Sequence, residues 1–106
     1  MNKITKHTLF IGLNDKDTKR PVMDIEAAKH TVASVLIANG YDATISEATG
    51  IYTHANALDI VIEKTIRAEV LFANEKTTLK ICEDLKKILN QESIALQAEQ
   101  IESRLV

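Results

Sequence analysis

The run Asp59–Phe72 constrains the fold of this chain more than any other segment. Ile60, Ile62, Ile66, Ala68, Val70 and Phe72 fall on one side of an extended backbone, with Lys64 the sole polar residue among them. Val61, Glu63, Thr65, Arg67, Glu69 and Leu71 fall on the other side. A period of two held over this length does not fit a helix, and it predicts a long antiparallel strand with one buried and one polar face. Such a strand needs neighbours at its edges and a layer over its apolar side, which the rest of the chain must supply.

The other elements follow from local signals. Thr8–Leu13 is a short, apolar, β-prone run that stops at Asn14-Asp15, and it reads as the first strand. A polar loop, Asn14–Arg20, is closed by Pro21. Asp24 is a good N-cap with Glu26 in the first turn, and Ile25, Ala28, Val32, Val35 and Leu36 recur at helical spacing. Asn39-Gly40 supplies a left-handed stop, so the first helix is expected over Ile25–Ala38. Ala43–Tyr52 is a second strand in which Gly50 is expected to mark a bulge, and Thr53–Leu58 reads as a polar turn. Asn74 can cap a second helix with the stripe Leu79, Cys82, Leu85 and Leu89, widened by Ile81 and Ile88 and ended by Asn90. Ser93–Ala98 is the last strand. The order βαββαβ is the α+β, ferredoxin-like arrangement. Its usual form is a four-stranded antiparallel sheet in spatial order 4-1-3-2, with both helices on one face. At 106 residues the chain is read as one domain, 1–106, in which 99–106 either extends the last strand or reaches a neighbouring subunit.

Several function classes fall away. No apolar run approaches the ~18 residues of a membrane span, and the first residues lack the apolar core of a secretory signal, so a cytoplasmic protein is expected. A single cysteine, Cys82, excludes an internal disulfide and reads as a small core residue of the second helix. His7, His30 and His54 have no ligand-spaced partners, so no metal or other cofactor is expected. The net charge of −2 is too small for a general polyanion binder, and the polar sheet face carries one aromatic, Phe10, so nucleic acid is not an expected partner. The charge is nonetheless uneven: residues 1–22 hold five Lys/Arg against two Asp, and the remainder is net acidic.

The candidate site comes from the fold rather than from a motif. In this topology the loops Asn14–Arg20, Thr53–Leu58 and Asn90–Glu92 converge at one sheet edge, which brings together Lys16, Lys19, Arg20, His54, Asn56, Gln91 and Glu92. The face without helices offers Thr8, Phe10 and Gly12 beside Glu63, Thr65, Arg67 and Glu69. Arg67 presents a planar fork for carboxylate or phosphate, and the glutamates can accept hydroxyls or an amine. Solvated cross-strand ion pairs are the plainer reading of the same residues. Lys16, Lys19 and Arg20 can hold an anion, although their loop lacks the glycines of a phosphate-wrapping loop. Glu47 and Glu63 can pair across the second and third strands, and Tyr52 can act as a platform for a planar ligand. No nucleophile or oxyanion donor accompanies them, so the sequence leans away from an enzyme. An uncovered sheet face in so small a domain points to a homo-oligomer, a dimer or a small ring.

Four segments together resemble a known group: Thr8–Thr18 (TLFIGLNDKDT), Glu47–His54 (EATGIYTH), Glu63–Glu69 (EKTIRAE) and Leu89–Ile94 (LNQESI). The chain resembles small uncharacterised proteins of bacteriophages and mobile elements in Gram-positive bacteria. The resemblance implies a setting of phage–host conflict, in which small proteins inhibit a host protein or sequester a signalling nucleotide. The matching segments also contain the polar residues singled out above.

The resulting expectation is a non-enzymatic oligomeric binding protein that sequesters a small anionic or nucleotide-like ligand at subunit edges. The binding residues would be Arg67, Glu63, Thr65, Glu69, Glu47, Tyr52, Lys16, Arg20 and Gln91. An inhibitor or adaptor of a host protein is the alternative, and a small enzyme with an intersubunit site the third reading.

Overall fold

The computed structural model describes residues 3–53 and 59–106. Its elements run β1 (Lys3–Gly12), α1 (Ile25–Ala38), β2 (Ala43–Thr53), β3 (Ile60–Leu71), α2 (Glu75–Ile88) and β4 (Ala95–Glu102). The four strands form one antiparallel sheet in the order β2-β3-β1-β4, which is the expected ferredoxin-like βαββαβ topology. No helix among the described residues is long and apolar enough to cross a membrane.

Both helices start where capping chemistry places them. The Asp24 carboxylate accepts from the Ala27 N–H at 2.9 Å, and the Asn74 side-chain Oδ1 accepts from the Thr77 N–H at 2.8 Å. Ala28, Val32 and Leu36 of α1 and Ile81, Cys82 and Leu85 of α2 meet Leu9, Ile11, Ile66, Ala68 and Val70 of the sheet in one buried core. The α2 stripe is rotated from the expected one. Thr78, Ile81, Cys82 and Leu85 are buried, while Leu79 and Ile88 face solvent. Thr78 can lie inward because its hydroxyl donates to the Asn74 carbonyl at 2.7 Å, which satisfies it inside the helix. Leu85→Ala removes a side chain that is 0% exposed, and a loss of about 2–5 kcal/mol is expected in urea unfolding.

Several strand boundaries differ from the sequence expectation. β1 begins at Lys3 instead of Thr8, and β4 starts at Ala95 instead of Ser93 and runs on to Glu102, one of the two outcomes expected for 99–106. These extensions pair with each other, Lys3↔Glu102 to His7↔Ala98. A polar segment becomes a strand there because a distant partner completes its ladder, which local composition does not show. Gly50 marks no bulge, since the ladder passes unbroken through Gly50↔Glu63. Phe72 lies outside β3 and is exposed, because the chain turns there through a positive φ of 62° before the Asn74 cap.

The largest difference concerns Ile60 and Ile62, which were expected in the core. β1 stops pairing with β3 at Gly12↔Thr65, followed by one further bond from the Leu13 N–H to the Lys64 carbonyl at 3.0 Å. The β2–β3 ladder continues from Gly50↔Glu63 to Thr53↔Ile60 without a third strand. This end of the hairpin is a two-stranded arm, and no helix among the described residues covers it. Ile51, Ile60 and Ile62 share its helix-side face and are 69%, 70% and 65% exposed.

Candidate functional site

The arm, the end of β1 and the turn after α2 enclose a cavity of about 710 Å³ on the open side of the sheet. That volume lies within the range of small-molecule sites. Small residues make room for it: Gly12, Ala48, Gly50 and Thr65 lie side by side along its floor.

Glu63 stands at the centre. It faces the open side, and its carboxylate occupies the space that a Cβ at position 12 would need. Its Oε2 accepts from the backbone N–H of Asn14 at 3.0 Å. A strand glycine and the residue two places later therefore form a seat for one carboxylate. Gly50 serves the neighbouring strand in the same way, since a Cβ there would lie 2.9 Å from the Thr65 hydroxyl oxygen.

Tyr52 reaches the cavity from the arm, and its phenol is held above its ordinary value of 10.0 by desolvation and by the negative charges of Glu63 and Glu92. The phenol is thus neutral throughout the physiological range and able to donate a hydrogen bond. In a Tyr41→Phe background, ultraviolet titration of the remaining Tyr52 is expected to reach its midpoint above pH 10.0, and a midpoint below that would contradict this environment.

The opposite rim is built by two loops locked together. The Lys16 N–H donates to the Asn90 carbonyl at 3.0 Å, and the Gln91 side-chain amide donates to the Asn14 carbonyl at 2.9 Å. The Asn90 amide bridges the Asp15 and Asp17 carboxylates at 2.9 and 3.0 Å. Asp15 also accepts from the N–H groups of Asp17 and Thr18. The Asn90 amide, followed by these backbone donors, holds the Asp15 carboxyl below its ordinary value of 3.8. Lys16 and Lys19 stand on this rim and line the cavity.

Of the residues predicted from sequence, Glu63, Thr65, Tyr52, Lys16 and Gln91 line this cavity. Arg67 and Glu69 share the open face but lie further along β3, bound to each other at 2.6 Å, with the guanidinium 5.9 Å from the centre of the Phe10 ring. Both are partly exposed, so the ion pair is of the surface kind and worth little by itself. Glu47 lies on the opposite, helix-side face, paired with Lys29 of α1 at 3.1 Å, so it forms no acid–base pair with Glu63. Arg20 is exposed and does not line the cavity, and its backbone carbonyl accepts from the Asp15 N–H at 2.7 Å. His54 and Asn56 lie outside the described residues.

Of the three loops expected to meet, the second falls at 54–58, outside the described residues. The first and third loops do interlock, but the strands leading into residues 54–58 run on past the sheet, so the sides of the arm line the cavity. The sequence reading left Gly12, Asn14, Gly50 and Glu92 out of the binding set. Two glycines inside apparent strands were the available signal, because such glycines mark places where another group approaches the backbone closely.

No family model matches the chain, and no curated protein matches it. Among solved structures, the fold is similar to that of a phage SAM lyase in complex with S-methyl-5'-thioadenosine, with a TM-score of 0.71 and 20% identity over 92% of this chain and 81% of that one. The apo state of a phage SAM lyase matches with a TM-score of 0.68 and 18% identity, again over 92% of this chain and 81% of that one. The chain thus shares its fold with a phage protein across nearly its whole length, at an identity that speaks for the fold alone.

Proposed function

We propose that the open-face cavity binds a sulfonium nucleoside, S-adenosylmethionine, and that the protein cleaves it to release S-methyl-5'-thioadenosine. The observation that carries this reading is the seating of Glu63, one carboxylate held on Gly12 and Asn14 beside a neutral phenol in a cavity of nucleoside size. A sulfonium centre has no hydrogen to donate, so a fixed negative charge is the protein's means of recognising it. The fold shared with a lyase solved with the thioether nucleoside supports the same assignment.

The chemistry asks little of the protein. For the nucleoside to leave with its methyl group, the bond between sulfur and Cγ of the amino-acid chain must break. Its electron pair passes to sulfur, which becomes a neutral thioether. A lyase adds no water, so the substrate's own α-carboxylate can close on Cγ and form a five-membered lactone. The α-ammonium is unchanged, net charge is conserved, and no proton moves. The substrate supplies its own nucleophile, so the lack of a protein nucleophile, which weighed against catalysis in the sequence, no longer does so.

Opposite charges disappear in this step, and moving the reacting atoms out of water favours it. Phe10, Ala48 and Val61 supply apolar walls. Glu63 attracts the cationic substrate and loses its charge partner when sulfur becomes neutral, which favours product release. Consumption of a nucleotide-like metabolite also suits the phage–host setting that the sequence resemblance implies. In this reading the protein works as a homo-oligomer, because the apolar side of the arm needs a cover that the described residues do not provide.

Incubation of the purified protein with S-adenosylmethionine, followed by chromatography, tests the reading. S-methyl-5'-thioadenosine should accumulate with enzyme and time. Calorimetric binding without turnover would return the protein to the sequestering role expected from sequence. The cavity assignment would be overturned if neither nucleoside bound more tightly than about millimolar.

A further inference from the structure

We propose that Lys16 and Lys19 form a carboxylate-recognition rim that selects the amino-acid end of the ligand. This inference rests on the sulfonium-nucleoside reading of the cavity and names what discriminates the substrate within it. Lys16 and Lys19 both line the cavity, on the side away from the arm. Their loop is fixed rather than merely basic. The Asp15 N–H donates to the Arg20 carbonyl at 2.7 Å, and the Lys19 N–H donates to the Asp15 carbonyl at 2.9 Å. Lys19 sits in the left-handed region, with φ at 63°, which a non-glycine residue adopts only where its surroundings enforce it. Its ammonium donates to the Lys16 carbonyl at 2.6 Å, which leaves two of its three N–H groups for another acceptor. The Lys16 ammonium has no hydrogen bond or ion pair among the described residues.

The acidic groups nearby keep their charges, and Lys16 helps to hold the Asp15 carboxyl low, but none is ion-paired with either ammonium among the described residues. The Asp15 carboxylate is occupied by two backbone N–H groups and the Asn90 amide, and Asp17 shares that amide. Glu63 is turned onto Gly12 and Asn14, and the charge of Glu92 is felt at Tyr52 on the arm side. Glu63 and the two ammoniums therefore stand on different sides of the cavity. Asn14, which holds Glu63, and Lys16 are two residues apart, so their Cα atoms lie within about 7 Å of each other. That is the scale of the short tether joining a sulfonium to its α-carboxylate. Glu63 can meet the sulfonium while a lysine grips one carboxylate oxygen, leaving the other oxygen to close on Cγ. The product S-methyl-5'-thioadenosine has neither charge and gains nothing from this arrangement.

Two uncleavable ligands isolate the carboxylate end. S-adenosylhomocysteine keeps the amino-acid group on a neutral sulfur, and S-methyl-5'-thioadenosine lacks it. Calorimetry on the full chain should show the wild type preferring the first about tenfold or more. In the double variant Lys16→Gln/Lys19→Gln that preference should fall below about threefold, with affinity for S-methyl-5'-thioadenosine unchanged. Lys16→Arg/Lys19→Arg should keep most of the preference. Raised salt should reduce it in the wild type, because both lysines are exposed. A preference that survives the double Gln substitution would overturn the inference, as would equal weakening of both ligands. In either case binding of S-methyl-5'-thioadenosine by the wild type would still stand for the cavity itself. Failure of the wild type to bind it would remove the cavity reading and this inference together.

Discussion

Gly12→Ala is expected to reduce turnover of S-adenosylmethionine about a hundredfold while leaving the protein folded. The new methyl group meets the Glu63 carboxylate, the far end of a flexible side chain, and not backbone. The fold can yield by swinging that side chain away, and Gly12 has no positive φ that an alanine would strain. Thermal unfolding should therefore move by only a few degrees, as for a change of about 1 kcal/mol or less. The displaced carboxylate loses its seat and the Asn14 N–H, and with them the fixed charge that the sulfonium needs. A hundredfold loss corresponds to about 2.7 kcal/mol, within the range for truncating one partner of a charged, hydrogen-bonded pair. Glu63→Gln is the companion variant. It keeps the volume and removes the charge, so it should lose substrate affinity by a similar factor while binding the neutral product nearly as the wild type does. Steady-state kinetics and product calorimetry on the two variants check the prediction. Full activity in Gly12→Ala would show that the seat is structural only.

Ile62→Glu is expected to dissociate the protein into monomers. Ile51, Ile60 and Ile62 lie on the helix-side face of an arm that no third strand or helix among the described residues supports, each about two-thirds exposed. A two-stranded ribbon is marginal in water without cover on one face. Burial of each isoleucine at an interface is worth about 1.5–3 kcal/mol, so three of them repeated by symmetry supply much of what a stable assembly needs. A carboxylate in their midst would have to be desolvated without a partner. Light scattering coupled to size exclusion should show wild-type oligomer and variant monomer. A monomeric wild type would refute the prediction. Ile62 also borders the cavity, so binding of S-methyl-5'-thioadenosine by the variant is the measurement that separates lost assembly from a local effect on the site.

The topology of this chain was legible because local chemistry and global arrangement agree. Asp24 and Asn74 cap their helices, Gly40 turns out of α1 through a positive φ, and the alternation in β3 fixes which residues face the open side. The site was legible only in part. Glu63, Thr65, Tyr52, Lys16 and Gln91 were named as ligand residues and do line one cavity. The sequence puts Glu47 in the same group as a partner of Glu63 across the second and third strands. Strand parity sends it to the helix side instead, where Lys29 neutralises it. Gly12 and Gly50 were read as a face residue and a bulge, because a sequence shows that a side chain is missing but not what fills its place.

The sequence by itself determined the order of the elements, the faces of β3 and the polar character of the uncovered side, since all of these follow from periodicity and capping within a few residues. Only the tertiary structure decided how far β1 accompanies β3. That register turns Ile60 and Ile62 from core residues into an exposed arm and places Gly12 beneath Glu63. Register is set by pairing between strands far apart in the chain, and a slip of one residue would exchange the faces of every side chain involved. Neither the arm nor the cavity beside it follows from alternation alone, because both depend on where one strand stops and its neighbour continues.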